Sequence, residues 1–414
     1  MKFTNTFAPM RWWKILGPGI LYAGAAIGVS HLIQSTRAGA NLGLTAILIV
    51  ILVHIIKYPY FFFAQKYTIT TGKNLITAYA GIGKWAVYTY LILTLSTMFI
   101  IMAAISVVTA GILANILNID IDIQILSSIV IIMGYLVLHV GGYGFLKSGM
   151  KIVMLILALT TIWASISAFT KADFNSLASY ETTYFSEEKL FFLIAFIGWM
   201  PAPLDITVWQ SIWSETENKG LKRSLKNSLL DFNIGYWGTA FLAICFVIIG
   251  YTMLSGLELE NQAVPFTKRL IDSYALELGN WSRPIISLAA FTTMLSTTIA
   301  VLDGISRSLK PTIESLTDAR NVRSISQKHW LVFLVIGSLI AIWTLLRNMT
   351  NLVDLATTIA FVTTPVLAWL NIQVVIRIKE ESGAVISGKM IGFSRVGLLV
   401  ISFLTMLFLY LRFF

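Results

Sequence analysis

The chain has 414 residues, of which 57% are hydrophobic and 12% charged, with a formal net charge of +10 and a mean hydropathy of +0.79. Soluble domains carry about 25% charged residues, so this composition excludes an ordinary soluble enzyme or binding module and indicates a membrane protein. The positive balance reads as basic cytoplasmic loops, not as a nucleic-acid surface. The single Cys245 excludes an intramolecular disulfide.

Met1 to Lys14 is short and basic and shows no cleavable signal pattern. Apolar runs of about 20 residues then recur along the whole chain, which is the signature of membrane helices. About eleven spans are predicted, near 15–42, 44–66, 86–112, 122–142, 147–169, 190–214, 228–254, 281–308, 329–347, 350–376 and 390–412. The first is interrupted at Gly28-Val29-Ser30-His31 and the sixth at Met200-Pro201-Ala202-Pro203. Unpaired backbone groups cost several kcal/mol in lipid, so such breaks survive only around a protein-lined cavity. The loops before spans six and eight are longer and are expected to carry surface structure. With no Pro/Gly/Ser-rich linker, residues 1–414 read as one transmembrane domain.

Lys and Arg give an orientation. Lys2, Arg11 and Lys14 precede span one; Lys66, Lys73 and Lys84 follow span two; Lys147 and Lys151 begin span five. Lys219, Lys222, Arg223 and Lys226 follow span six, Lys310, Arg320, Arg323 and Lys328 follow span eight, and Arg377, Lys379 and Lys389 follow span ten. With eleven spans these loops share one side, and the opposite loops carry acids such as Asp120, Asp122, Glu181, Glu187, Glu258 and Glu260. The positive-inside rule then predicts a multi-pass protein of the cell (inner or plasma) membrane, N-terminus cytoplasmic and C-terminus outside.

Two broken spans five apart suit two inverted five-helix repeats, at about 15–170 and 190–377, with an extra helix at about 390–412. Matching breaks in two halves are the sequence pointer to a transporter's central site, so the expected function is secondary active transport. The fold class expected is an all-α membrane protein with a 5+5 inverted repeat.

Several motifs then resemble the Nramp family of divalent-metal transporters. They are Gly17-Pro18-Gly19 opening span one, Ala38-Gly39-Ala40 in its second half, Thr71-Gly72-Lys73-Asn74-Leu75 after span two, Met200-Pro201, and Ser296-Thr297-Thr298-Ile299 in span eight. The resemblance covers nearly the whole chain and implies the LeuT-like fold. The family's metal site does not carry over. Its Asp-Pro-Gly-Asn break places the ligating Asp and Asn at Gly28 and His31, and its His-Asn after Met-Pro falls on Ala202 and Pro203. Its ligating Gln of span ten falls at about Thr357, and residues 86–112 contain none of the family's span-three acids. Of the usual ligands only the Met200 thioether remains, which suits soft metals and binds hard ones poorly.

Without the break carboxylate, the positive ends of the second half-helices are uncancelled, and such ends hold anions. His31, Arg37, His54 and Lys57 add cations at membrane depth. The favoured substrate is therefore a small inorganic anion such as bicarbonate. The expected binding residues are Gly28, Ser30, His31, Trp199, Met200, Ala202, Asp205 and Thr357, with Arg37 and Lys57 as auxiliary charges. The alternative is a divalent cation (Mn²⁺, Mg²⁺ or Fe²⁺) held by His31, Met200 and Asp205, with proton coupling. Each residue also has a structural reading. His31 can be a packed core histidine, Arg37 can pair with Asp205 or another acid, and Lys57 can snorkel to the interface. Asp231, Asp303 and Asp354 can be gates, caps or salt bridges.

An anion moving inward against the membrane potential needs a driving ion. Thr293, Ser296 and Thr297 share a helix face by their i, i+3, i+4 spacing. With carbonyls near Ala25 to Gly28 they form the expected Na⁺ site. No other cofactor is expected, and no catalytic spacing stands out, so an enzyme is not the reading. The expected partners are the lipid bilayer and a small ion.

Overall fold

The computed structural model describes residues 16–172, 187–220, 224–257, 261–317 and 326–413. The basic positions Lys2, Arg11, Lys14, Lys222, Arg223, Arg320 and Arg323 and the acids Glu181, Glu258 and Glu260 lie outside the described residues.

Span one is α1 (Pro18–Ala26), a π-helical turn (Ser30–Ser35) and α2 (Thr36–Leu42). Its start is held by Asp231, whose Oδ1 and Oδ2 accept the Gly17 and Gly19 N–H groups, both at 2.9 Å. A helix start has N–H groups with no partner of their own, so this buried carboxylate is a cap supplied by another span. Of the roles open to Asp231 in the sequence (gate, cap or salt bridge), the structure shows the cap.

Span two is α3 (Thr45–Thr71), followed by a short helix α4 (Leu75–Ile82) whose first turn Asn74 caps through Thr77 N–H. Span three is α5 (Lys84–Leu117). The chain is next helical over α6 (Ile123–Lys171). If straight, α6 would hold Ile123 and Thr161 about 57 Å apart. Yet Ile123 lines a cavity with Ala263, while the Thr161 hydroxyl meets Tyr274 OH at 3.2 Å, three turns along the same helix α10 (Ala263–Leu278). The chain therefore reverses within α6. Its apolar stretches Ile123–Gly141 and Met154–Lys171 are two crossings, as the sequence indicated.

Span six is α7 (Glu187–Trp199) and α8 (Ile206–Gly220) with Met200–Asp205 non-helical between them. The remaining spans are α9 (Leu225–Leu254), α11 (Arg283–Leu316), α12 (Gln327–Leu345), α13 (Met349–Ser382) and α14 (Gly388–Phe413). Among the described residues, nine segments are long and apolar enough to cross a membrane, and the two broken helices complete the expected eleven. The loop before span eight folds into α10, in line with the surface structure expected there. The loop before span six lies largely outside the described residues.

Large apolar side chains such as Leu48, Ile92, Leu136, Leu399 and Phe403 are exposed. Contiguous apolar surface of this kind marks a membrane or interaction face, and on these helices it faces the lipid. The chain is a multi-pass membrane protein.

Span one lies directly on span seven through glycines. A Cβ on Gly19 would sit 2.1 Å from the Asp231 carbonyl oxygen, and one on Gly235 2.3 Å from the Gly19 carbonyl oxygen. Further along, Gly39 faces the Val247 carbonyl and Gly250 the Thr36 carbonyl, each at 2.0 Å from the missing Cβ. Small residues let membrane helices approach to backbone contact, and dispersion then holds them. The crossing sets the position of both halves of span one.

Candidate functional site

Each break has a local cause. In span one the last α-helical bond is Ile27 N–H to Ala23 O, and Gly28 follows. A Cβ on Gly28 would sit 2.7 Å from Thr297 Cγ2, so glycine is what lets span eight touch the break. In span six Pro201 and Pro203 have no N–H to continue the ladder, and α7 ends at Trp199.

Between the breaks is a cavity of about 20 Å³, room for roughly one water. Ala25, Ala26, Val29 and Ser30 face it from span one, and Trp199, Pro203, Ile206 and Trp209 from span six. Ile101 and Ile105 of α5 and Thr297 and Val301 of α11 close it. Both breaks meet here, as the sequence indicated. The wall is mostly apolar and carries no formally charged side chain. Trp209, Ile101, Ile105 and Val301 were not anticipated. Ile101 and Ile105 sit on a helix that is apolar nearly all round, where hydropathy does not say which face turns inward.

The expected site residues divide into groups. Ser30, Trp199, Ala25 and Thr297 line the cavity. Gly28 adjoins it through Thr297. His31 does not line it. The ring is fully buried, with Nε2 3.0 Å from the Thr239 carbonyl oxygen and Nδ1 2.7 Å from Ser30 Oγ and 3.1 Å from the Ala26 carbonyl oxygen. Met200 packs with Ala38, Phe192, Phe196 and Val247, away from the cavity. Ala202 is buried in the core, and the Thr357 hydroxyl donates to the Val353 carbonyl within its own helix. Asp205 faces a second cavity beside the first.

The auxiliary cations also have partners. Arg37 meets Asp354 of α13 in a two-point ion pair, Nη1–Oδ1 2.7 Å and Nη2–Oδ2 3.2 Å, with Gln34 bonded to both residues. Its guanidinium carbon stands 4.8 Å from the Phe192 ring centre. Its partner is thus Asp354 and not Asp205. Lys57 does not snorkel. It is 1% exposed, and its ammonium donates to the carbonyls of Ile197 at 2.7 Å and Gly198 at 3.0 Å. These carbonyls end α7, where a helix has unpaired acceptors and a negative dipole end. Asp303 accepts from Trp213 Nε1 at 2.9 Å and pairs with Arg307 at 2.7 Å, a bridge between spans six and eight.

Of the expected Na⁺ ligands, only Thr297 bonds to span one: its hydroxyl lies 2.8 Å from the Gly24 carbonyl oxygen and 3.5 Å from that of Ile27. Thr293 and Ser296 bond to carbonyls of their own helix. Among the described residues no group of three or more His, Cys, Asp or Glu is placed to hold a metal ion.

The fold is the LeuT fold, with two inverted five-helix repeats whose first helices are broken. A manganese transporter of Eremococcus coleocola superposes with a TM-score of 0.69 at 14% identity, over 96% of this chain and 87% of that one. MhsT in complex with L-phenylalanine superposes with a TM-score of 0.66 at 14% identity, over 94% of this chain and 98% of that one. No protein-family model matches the chain. In sequence it is 33% identical over 399 residues to the uncharacterized protein PM0681 of Pasteurella multocida (strain Pm70), covering 95% of this chain and 91% of that protein. The chain belongs to the family of that protein.

Proposed function

We propose that this chain is a secondary transporter, related to the Nramp family, that carries a small inorganic anion by alternating access. Bicarbonate is the first candidate. One observation carries the anion reading: the two ends of each break are treated differently. The carbonyl ends of the first half-helices meet donors, from Lys57 to Ile197 and Gly198, from Thr297 to Gly24, and from Ser30 to Ala26. The starts of the second halves, Val29-Ser30 and Ile206, line a cavity without a carboxylate. With the negative ends capped, the start of span one's second half sets the potential in the central cavity, while Asp205 at the start of α8 faces the neighbouring cavity; this favours an anion in the central one.

The cavity in this structure admits about one water, so binding a larger ion requires the spans to part. The Arg37–Asp354 pair ties span one to span ten and is the closure this reading assigns to one side. Reversing either charge alone, as Arg37→Asp or Asp354→Arg, is expected to reduce uptake strongly. The double exchange is expected to recover part of it. Equal loss in all three variants would remove the gate.

The second reading is a divalent cation, supported by the likeness of fold to a manganese transporter. It would need ligands beyond the present cavity wall, which has neither carboxylate nor imidazole. The proposal places the protein in the cell membrane with a cytoplasmic N-terminus, following the loop charges. Uptake of labelled bicarbonate into proteoliposomes tests it: saturable uptake above empty liposomes is expected. Saturable Mn²⁺ uptake without bicarbonate uptake would replace the anion with the metal.

A further inference from the structure

The cavity beside the central one contains the most unusual chemistry among the described residues. It is lined by Tyr90, Thr94 and Thr97 of span three, Asp205 at the start of α8, and Thr363 of span ten. Tyr90, Thr94 and Asp205 are 0%, 2% and 7% exposed. Tyr90 OH, Thr94 Oγ1 and Asp205 Oδ1 have no hydrogen-bond partner among the described residues. Buried polar atoms are nearly always paired, and several unpaired together in one cavity require an explanation such as a bound ion. A carboxylate at membrane depth is costly and is functional by default. Asp231, Asp303 and Asp354 are each bonded to a neighbouring span, whereas Asp205 Oδ1 has no hydrogen-bond partner among the described residues.

We infer that this cavity is the binding site for a small hard monovalent cation, of which Na⁺ is the physiological example. This inference rests on the transporter reading for its role as a coupling ion, but not for the binding itself. The donors are all oxygen, one carboxylate with hydroxyls, which suits a hard cation and not a soft one. One carboxylate balances one positive charge. A divalent ion would leave an uncompensated charge in a low-dielectric interior. The volume, about 10 Å³, leaves room for one small ion and none for an organic cation. The site shares Ile101 and Pro203 with the central cavity, so a cation on Asp205 braces the span-six break where substrate sits. It differs from the sequence-expected Na⁺ position at Thr293, Ser296 and Thr297, where the Thr297 hydroxyl bonds to the span-one carbonyls.

The test is equilibrium binding of labelled Na⁺ to the purified full-length chain in detergent, with no substrate added. Wild type is expected to bind saturably, with competition by Na⁺ and Li⁺ but not by choline. Asp205→Asn is expected to bind at least about tenfold more weakly, as loss of a charged partner implies. Thr94→Val and Tyr90→Phe keep shape while removing one oxygen each, and both are expected to weaken binding; they carry the test if Asp205→Asn does not fold. Absence of saturable Na⁺ binding in wild type overturns the inference. So does wild-type affinity in Asp205→Asn, or loss in Thr297→Val with none in Thr94→Val. Na⁺ binding without bicarbonate uptake leaves this site standing and removes the proposed substrate. Bicarbonate uptake without Na⁺ binding does the reverse.

Discussion

Gly250→Val is expected to eliminate functional protein. The new Cβ would lie 2.0 Å from the Thr36 carbonyl oxygen, where α9 touches the start of α2. The obstacle is backbone, so no side chain can swing away to relieve it. Overpacking costs about 1–3 kcal/mol where side chains can adjust, and here whole helices must separate. Span one would move off span seven just beyond its break, displacing Ser30 and Val29 from the cavity wall. The expected readout is loss of the monodisperse peak in size-exclusion chromatography, or retained folding with no uptake. Gly39→Val should behave alike, because its Cβ meets the Val247 carbonyl oxygen at the same distance. Gly238→Ala is the control: it lies on the same helix α9, and nothing stands within 4 Å of its Cβ. Wild-type behaviour of Gly250→Val would refute the backbone contact.

Lys57→Met comes next in size. Methionine retains the length and apolar stem of lysine but removes the charge and the donors. The Ile197 and Gly198 carbonyls would then lose this donor at membrane depth, at a cost of about 1–3 kcal/mol for each unsatisfied group. The negative end of α7 would also be uncovered next to the central cavity, which weakens an anion site. A lower thermal midpoint in detergent and reduced bicarbonate uptake are expected together. Unchanged stability would show that the cap contributes nothing. A drop in stability with normal uptake per folded molecule would separate the cap from the electrostatics of transport.

The membrane class, the eleven crossings and the two breaks were determined by the sequence itself, because each depends on local chemistry. Length and apolarity of a run decide whether it crosses a bilayer. Gly28 and the closely spaced Pro201 and Pro203 weaken a helix locally, although the single Pro59, Pro311 and Pro365 sit inside helices here. The reversal within α6 was visible for the same reason, as two apolar runs flanking Gly141, Lys147 and Lys151.

Only the tertiary structure decided what the buried polar groups do. Arg37 was as close in sequence-based expectation to Asp205 as to any other acid, and the partner proved to be Asp354, 317 residues away. Lys57 found the end of a half-helix and His31 a carbonyl of span seven. Asp205, read with the substrate residues, turned toward span three instead. The physical reason is that these helices are apolar around most of their circumference. A lipid-facing side and a packed side then look alike in sequence, and helix rotation is set by the close glycine crossings and by which polar groups must find partners away from water.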